Sequence, residues 1–479
     1  MLYQSSRGQE CKHLSEIIVD GLAPDGGLYS PIELPSVSDV SIQELMATTS
    51  VKEAIKGLFD AFSPSWPVKG DLDSLIEAAY SEFRIPELSQ IKSVSQDLSL
   101  LDLTQGPTFA FKDFALCLLG PLLDHALADK KSGDLPAVVL GATSGDTGSA
   151  AINGLKNSEG FAVVMLYPHG KVSEIQRRQM TTVASSSVHN LAVEGSFDDC
   201  QDLVKQSFVD TNLRNSMNLI AVNSVNFARV LIQISYYIAG VNQWKTQQSS
   251  KPGGVTVPNI VVPTGNCGNV LAAWYAKQLG ADIGNIVVAT NENDSFVRFL
   301  ESGELNHVVV RQTPSPSMDI QIPSNLERIL WHFSGQDSQL IASLMSEYKT
   351  NKNVKFPDEI MEQLRSEFMA GSASNEETLD TIAKVYNDYQ IVIDPHTAAG
   401  VAVATKLDSG GDNSHNIVAE TAAPDKFLDA VSQAIGARPG LHPQLEELLG
   451  KSERYEQSSG EYSELVDKLS KVASLHGSQ

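Results

Sequence analysis

Lys112 lies in FAFKDFA, with Phe109, Ala110, Phe111, Phe114 and Ala115 around it. An amine in apolar surroundings gives up its proton more readily, and a neutral amine can form a Schiff base with a carbonyl. The same setting also suits a lysine that packs its stem on phenylalanines and keeps its head in water. Further along, GATSGDTG (141–148) gathers Thr143, Ser144, Asp146 and Thr147 at the start of a helix. Side chains of these types cap helices, but together they exceed the needs of one cap and could grip a small ligand. PTGNCGN (263–269) lacks both the lysine of a nucleoside-triphosphate loop and the spacing of a dinucleotide loop. A phosphate monoester held by backbone N–H groups suits it better; Gly265 and Gly268 would otherwise mark only a tight turn.

NSVNFARVLIQISYYIAG (223–240) begins as a loop and continues as an apolar helix. Asn223 or Ser224 is the expected cap, with Arg229 in the first turns. Hydroxyl, amide, free N–H groups and guanidinium would then converge on a second place for a phosphate. The alternative is an arginine paired with a surface carboxylate. NIVAETAAPDKF (416–427) ends a strand with Glu420 and Thr421. Neighbouring side chains on a strand face opposite ways, so one of the two can meet a ligand at the strand's carboxyl end; a plain strand end is the other reading. There is no GxSxG and no HExxH, and His396 in DPHTAAG reads as a satisfied structural residue.

The elements that carry these residues follow from the apolar pattern. PAVVL (136–140), FAVVMLYP (161–168), NIVVPTG (259–265), NIVVAT (285–290) and NIVAET (416–421) are continuous apolar runs separated by helical stretches. That pattern predicts parallel strands buried on both faces, an α/β architecture. PAVVL runs into GATSGDTG and NIVVPTG into NCGNVLAA, so strand, glycine-rich turn and helix recur twice. The first ninety or so residues, punctuated by Pro and Gly, read as a separate helical unit, and the polar C-terminal stretch as a surface helix with a frayed tail.

The 479 residues are enough for about three structural units, each able to bury a core without disulfides or metal. A net charge of −23 disfavours a nucleic-acid partner, because basic residues come singly or in pairs such as Arg177–Arg178. Neither a membrane-length apolar run nor a signal-like start occurs, which points to a soluble, cytoplasmic protein. Cys11, Cys117, Cys200 and Cys267 lie far apart, so neither a disulfide framework nor a zinc site is expected.

Taken together and in this order, the motifs resemble those of threonine synthase, a pyridoxal-phosphate enzyme family of fold type II. QGPTFAFKDFA is similar to the family's HGPTxAFKD, GATSGDTGSA to its TSGDTG loop, and NSVNFAR to its NSINxxR. PTGNCGN is similar to P[ST]GNFG and ETAAPDKF to TAHPAKF, while SSRGQECKHLSEIIVDGLAPDGGLYSP resembles the start of the family's N-terminal domain. Gln105, Cys267 and Ala423 stand where the family has His, Phe and His.

The resemblance implies two α/β domains (93–135 with 245–479, and 136–244) and a helical N-terminal domain (1–92). It implies that Lys112 carries pyridoxal 5'-phosphate and moves protons. Gly265, Asn266, Cys267, Gly268 and Asn269 would hold the cofactor's phosphate, Thr421 would face its ring nitrogen, and Asp146 would approach the ring. Thr143, Ser144, Gly145 and Thr147 would take the substrate's carboxylate, and Asn223, Ser224 and Arg229 its phosphate. The implied reaction turns O-phospho-L-homoserine and water into L-threonine and phosphate. A related phospho-lyase releasing 2-oxobutyrate, ammonia and phosphate is the alternative, and a non-catalytic binding protein a more distant one. The expected assembly is a monomer or homodimer.

Overall fold

The computed structural model describes residues 1–128, 135–249, 257–407 and 415–476. The apolar runs become the central strands of two sheets. The larger has six strands in the order Phe368–Ser372, Ile286–Thr290, Asn259–Pro263, Asn416–Glu420, Leu98–Asp102 and Gln90–Ser93. All its pairs are parallel except the last. The smaller has five parallel strands in the order Glu456–Ser458, Val188–Val193, Phe161–Pro168, Ala137–Ala142 and Asn218–Ala221. Every residue of Asn259–Pro263 and Phe161–Pro168 is buried. Helices cover both faces of such sheets, which is why these strands read as unbroken apolar runs rather than alternating ones.

Several segments depart from the expected organisation. The N-terminal unit is not wholly helical: Tyr3–Ser5, Cys11–Lys12 and Tyr29–Pro31 form a small antiparallel sheet ahead of the helices Val51–Phe62 and Lys69–Ala79. Strands this short carry too few residues to show a period in sequence. Gln90–Ser93, which straddles the expected border at 92, is the antiparallel edge of the six-stranded sheet. The helix Phe227–Gln248, expected mostly within 136–244, packs instead against Val51–Phe62, Lys112–Ala128 and Gly268–Gln278. It is buried continuously from Phe227 to Val241, so it needs neighbours on all sides.

The C-terminal end also crosses the expected border. Glu456–Ser458 extends the five-stranded sheet, and Tyr462–His476 lays Leu465, Leu469, Val472 and Ala473 against that sheet's core. The expected surface helix is present, with one side exposed, and its apolar side covers the smaller sheet rather than the larger one; the end of the expected frayed tail, 477–479, lies outside the described residues. Among those residues no helix is long and apolar enough to cross a membrane.

Candidate active site

The carboxyl ends of Ala137–Ala142, Phe161–Pro168 and Asn218–Ala221 in one sheet and of Asn259–Pro263 and Asn416–Glu420 in the other open onto one cleft of about 2650 Å³. This is where open α/β sheets place their ligands, because strand ends there meet helix amino termini. Lys112, Thr143, Ser144, Asp146, Thr147, Asn223, Ser224, Arg229, Gly265, Asn266, Cys267, Gly268, Asn269 and Thr421 all line it. Gly145 lies beneath the surface: a Cβ there would stand 2.4 Å from Gln176 Oε1, and its φ of +148° favours glycine.

Lys112 opens the helix Lys112–Ala128. The segment before it is docked on the end of Asn416–Glu420: Phe111 N–H donates to Thr421 O (2.9 Å), Ala110 bridges Ala422, and Ala423 N–H donates to Phe109 O (3.0 Å). These bonds bring Lys112 and Thr421 to the same end of one strand. Lys112 is buried at 8 % exposure, with its ammonium 4.9 Å from the Phe111 ring centre and 3.6 Å from Asp146 Oδ2. Burial lowers its pKa; Asp146 opposes this and the positive charges of Lys426 and Arg229 reinforce it.

Asp146 is the hub. Its Oδ1 meets the Lys426 ammonium at 2.6 Å and accepts from Gln176 Nε2 at 2.9 Å, while Oδ2 accepts from Ser317 Oγ at 3.1 Å. Burial alone would raise this carboxyl, but Lys426 and then Lys112 hold it well below the usual carboxylate range. Ser317 N–H donates to His396 Nε2 (3.2 Å), and His396 Nδ1 bonds Asp394 (2.7 Å). The expected structural role for His396 agrees with two satisfied ring nitrogens.

In the TSGDTG turn the side chains divide their work. Thr143 Oγ1 accepts from the N–H groups of Gly145 (3.0 Å) and Gly148 (2.8 Å), so it shapes the turn. Ser144 and Thr147 line the cleft half-buried, and among the described residues neither side chain has a protein hydrogen-bond partner.

The 265–269 loop is the candidate cradle for a phosphate. Its amide N–H groups enter none of the loop and turn hydrogen bonds of the described residues, and they stand at the amino end of Gly268–Gln278. A Cβ on Gly265 would lie 2.4 Å from Ser317 O, so the chain passes too closely for any side chain. Cys267 adopts a left-handed φ of +56°, and its side chain is buried away from solvent. Asn269 accepts from both Tyr236 (2.5 Å) and Tyr237 (2.8 Å) hydroxyls through Oδ1, which leaves its buried Nδ2 with no partner. Free amides and an unused donor at one helix end fit the phosphate of pyridoxal phosphate.

Arg229 is the candidate for a second anion seat. It is 4 % exposed, has no carboxylate partner among the described residues, and its Nε is unbonded; only Nη1 reaches Val222 O, at 3.4 Å. The surface-pair reading is thereby excluded. Burial lowers its pKa from 12.5 to about 10. Gln233, one turn further along the helix, also leaves its buried Oε1 without a partner. The helix is capped by Asn226, which accepts from Ala228 N–H, and not by Asn223 or Ser224 as expected. Asn226 Nδ2 bonds Ile18 O at 2.8 Å, so a tertiary contact selects this cap. Asn223 and Ser224 remain in the loop on the cleft wall, with Ser224 Oγ 3.0 Å from Ser324 Oγ.

Sequence reasoning missed Lys426, Gln176 and Ser317. Lys426 stands in the motif ETAAPDKF itself, a lysine two residues after a proline and close behind a strand end, and that was its available signal. Gln176 and Ser317 come from segments with no such mark. Among the described residues no group of three or more His, Cys, Asp or Glu could hold a metal ion.

Comparison with known proteins agrees with this geometry. Residues 83–419 match the family described as pyridoxal-phosphate dependent enzyme, 2–80 the threonine synthase N terminus and 397–469 the threonine synthase C-terminal family. The chain is 38% identical to threonine synthase of Eremothecium gossypii, over 91% of this chain and 90% of that one. It is 37% identical to that of Pseudomonas aeruginosa, over 95% of each. The crystal structure of PLP-bound threonine synthase from Brucella melitensis superposes with a TM-score of 0.91 at 36% identity, covering 99% of both chains.

Proposed function

Since the chain belongs to the threonine synthase family, with the fold type II architecture of pyridoxal-phosphate-dependent enzymes, we propose that it converts O-phospho-L-homoserine and water into L-threonine and phosphate. The observation that carries this is the pairing of two anion seats in one cleft: the amides of 265–269 and the unpaired guanidinium of Arg229. A phosphorylated cofactor occupies one and a phosphorylated substrate the other.

Pyridoxal phosphate, when bound, supplies an electron sink for negative charge at the substrate's Cα. Lys112 is the residue that would carry it, and as an amine whose pKa is lowered by burial its Nζ removes the Cα proton and later returns one. The amides of Gly265, Asn266, Cys267, Gly268 and Asn269 hold the cofactor phosphate. Thr421 offers a hydroxyl, not a carboxylate, toward the ring nitrogen, so it does not fix a positive charge there. Ser144 and Thr147 offer free hydroxyls to the substrate's carboxylate, Thr143 and Gly145 shape the turn that presents them, and Asp146 anchors that turn to the lysines.

Arg229 takes the phosphate that leaves, with Asn223 and Ser224 beside it. The protein works in the cytoplasm as a monomer or homodimer.

Borohydride reduction of the protein after addition of pyridoxal phosphate should fix the cofactor to the peptide containing Lys112, and Lys112→Ala should abolish both fixation and turnover. Incubation with O-phosphohomoserine should yield threonine. Accumulation of 2-oxobutyrate in its place would move the assignment to a phospho-lyase, and absence of any cofactor uptake would refute both.

A further inference from the structure

One carboxylate in the cleft serves two buried lysines. Asp146 lies 2.6 Å from Lys426 and 3.6 Å from Lys112. Lys426 is 1 % exposed, and its ammonium also donates to Thr108 O at 2.8 Å. It belongs to the short turn Pro424–Phe427, directly after the strand end that presents Thr421. The same Thr108 bonds Asp113 through its N–H (2.8 Å) and its hydroxyl (2.6 Å). Lys426 is thus tied at both ends to segments that frame Lys112.

We propose that Lys426 is a positioning residue for Lys112: by engaging the Asp146 carboxylate as its own close counter-ion, it deprives Lys112 of that role and leaves Lys112 to act as a neutral amine. The proposal rests on reading Lys112 as the cofactor lysine.

The charges around Lys112 can be followed element by element. Asp146 faces it from the helix Asp146–Leu155, Lys426 from the turn Pro424–Phe427, and Arg229 from Phe227–Gln248. His396, on Pro395–Lys406, acts on Asp146, and Asp113 on Lys112's own helix is engaged by Thr108. Two ammonium groups therefore share one closely placed anion, and Arg229 adds a further positive charge that acts on Lys112. The shorter contact belongs to Lys426, which also has a carbonyl to satisfy it. Lys112, with the longer contact and a cleft-lining position, is the member that relinquishes a proton at least cost. A purely structural Lys426, tying its turn to Thr108, would hold the fold without affecting how Lys112 titrates.

The two roles separate in a labelling experiment on the full-length chain freed of cofactor with hydroxylamine. Trace acetylation with acetic anhydride across pH 6 to 11, read on the Lys112 peptide by mass spectrometry, gives the midpoint at which that amine becomes neutral. Lys426→Gln keeps the donor atoms and loses the charge. It should raise the midpoint by about one pH unit and cut Lys112 labelling near neutrality by about tenfold. Lys426→Arg should return the midpoint toward the wild-type value, and Asp146→Asn should lower it. In the loaded enzyme, where Lys112 acts as a base only once substrate is bound, the acid limb of the kcat profile should move to higher pH with Lys426→Gln.

A folded Lys426→Gln with an unchanged Lys112 midpoint overturns the proposal, as does an arginine variant indistinguishable from the glutamine one. If Lys426→Gln does not fold, an Asp146→Asn midpoint that stays at the wild-type value overturns it. Fixation of the cofactor at another lysine would instead refute the reading beneath it, and that outcome is seen separately in the borohydride peptide map.

Discussion

Arg229→Met separates function from stability at the second anion seat. The guanidinium is buried, has no carboxylate partner among the described residues, and makes one long bond to Val222 O. Its pKa falls from 12.5 to about 10, which at about 1.4 kcal/mol per pH unit is a cost of roughly 3 kcal/mol for keeping it charged without a ligand. Methionine fills similar space with no charge to desolvate, so the variant should be more stable by about 2 kcal/mol once the lost Val222 bond is deducted. The same change removes a charge-assisted bond to the substrate's phosphate worth about 1.5–3 kcal/mol, so kcat/KM should fall about ten- to hundredfold. Urea unfolding of the cofactor-loaded protein in phosphate-free buffer measures the first quantity, and phosphate release from O-phosphohomoserine the second. Added inorganic phosphate should stabilise the wild-type protein and leave the variant unmoved. A variant that is less stable than wild type in phosphate-free buffer and keeps its kcat/KM would refute the reasoning and make Arg229 a structural residue.

Other sites give sharper single outcomes. Gly265→Ala places a Cβ 2.4 Å from Ser317 O, so the loop must open; the variant should fold yet retain cofactor poorly on gel filtration, and full retention would contradict the cradle. Asn269→Ala strands the buried hydroxyls of Tyr236 and Tyr237, which should lower stability by about 2–4 kcal/mol in urea. Glu420 concerns pH. Burial raises its carboxyl from 4.5 to about 7 despite Lys92 at 2.8 Å, so in the fold it keeps a proton that the unfolded chain has lost. That contribution is complete below pH 4.5 and disappears as pH rises through 7, a swing of about 3 kcal/mol. Glu420→Gln should remove this decline between pH 4.5 and 7 from the stability profile, and an unaltered profile would show that Glu420 does not titrate there.

What the sequence made legible was whatever is contiguous. Strand, glycine-rich turn and helix follow one another in PAVVLGATSGDTG and NIVVPTGNCGN, so the residues that line the cleft at 143–147 and 265–269 could be named before their neighbours were known. Lys112 was legible through the phenylalanines beside it, although its partners were not. Lys426 reaches Asp146 only because Asn416–Glu420 lies in one sheet and Ala137–Ala142 in the other, and no local pattern reports a contact between their ends. The cap at Asn226 was missed for a similar reason. Asn223, Ser224 and Asn226 all have capping chemistry, and the contact that favours Asn226 is with Ile18, far away in sequence. Glu456–Ser458 joins the smaller sheet by pairing with a strand laid down long before it, and three residues carry no signature of that return.

The net charge of −23 first appears at odds with an anionic substrate, and the buried charges resolve the tension. Elsewhere in the interior, several buried carboxylates and a buried arginine have partners of their own. Asp113 has Thr108, Asp394 has His396 and Thr397, Glu420 and Asp102 share Lys92, Glu327 has Arg7, and Arg328 is held by the carbonyls of Tyr29 and Val225 and by Asn325. Around Lys112 the balance is different: Lys112 and Lys426 share Asp146, and Arg229 adds a positive charge without a carboxylate partner among the described residues, so cationic side chains outnumber that carboxylate. Interior charge is screened far less than surface charge, so this local excess outweighs the acidic exterior for a ligand that has entered. The free amides of 265–269 and Arg229 Nε add donors that no protein acceptor among the described residues has claimed. A dianion at each seat would therefore complete hydrogen bonds that the polypeptide leaves open, and the fold carries that incompleteness because the reaction needs it.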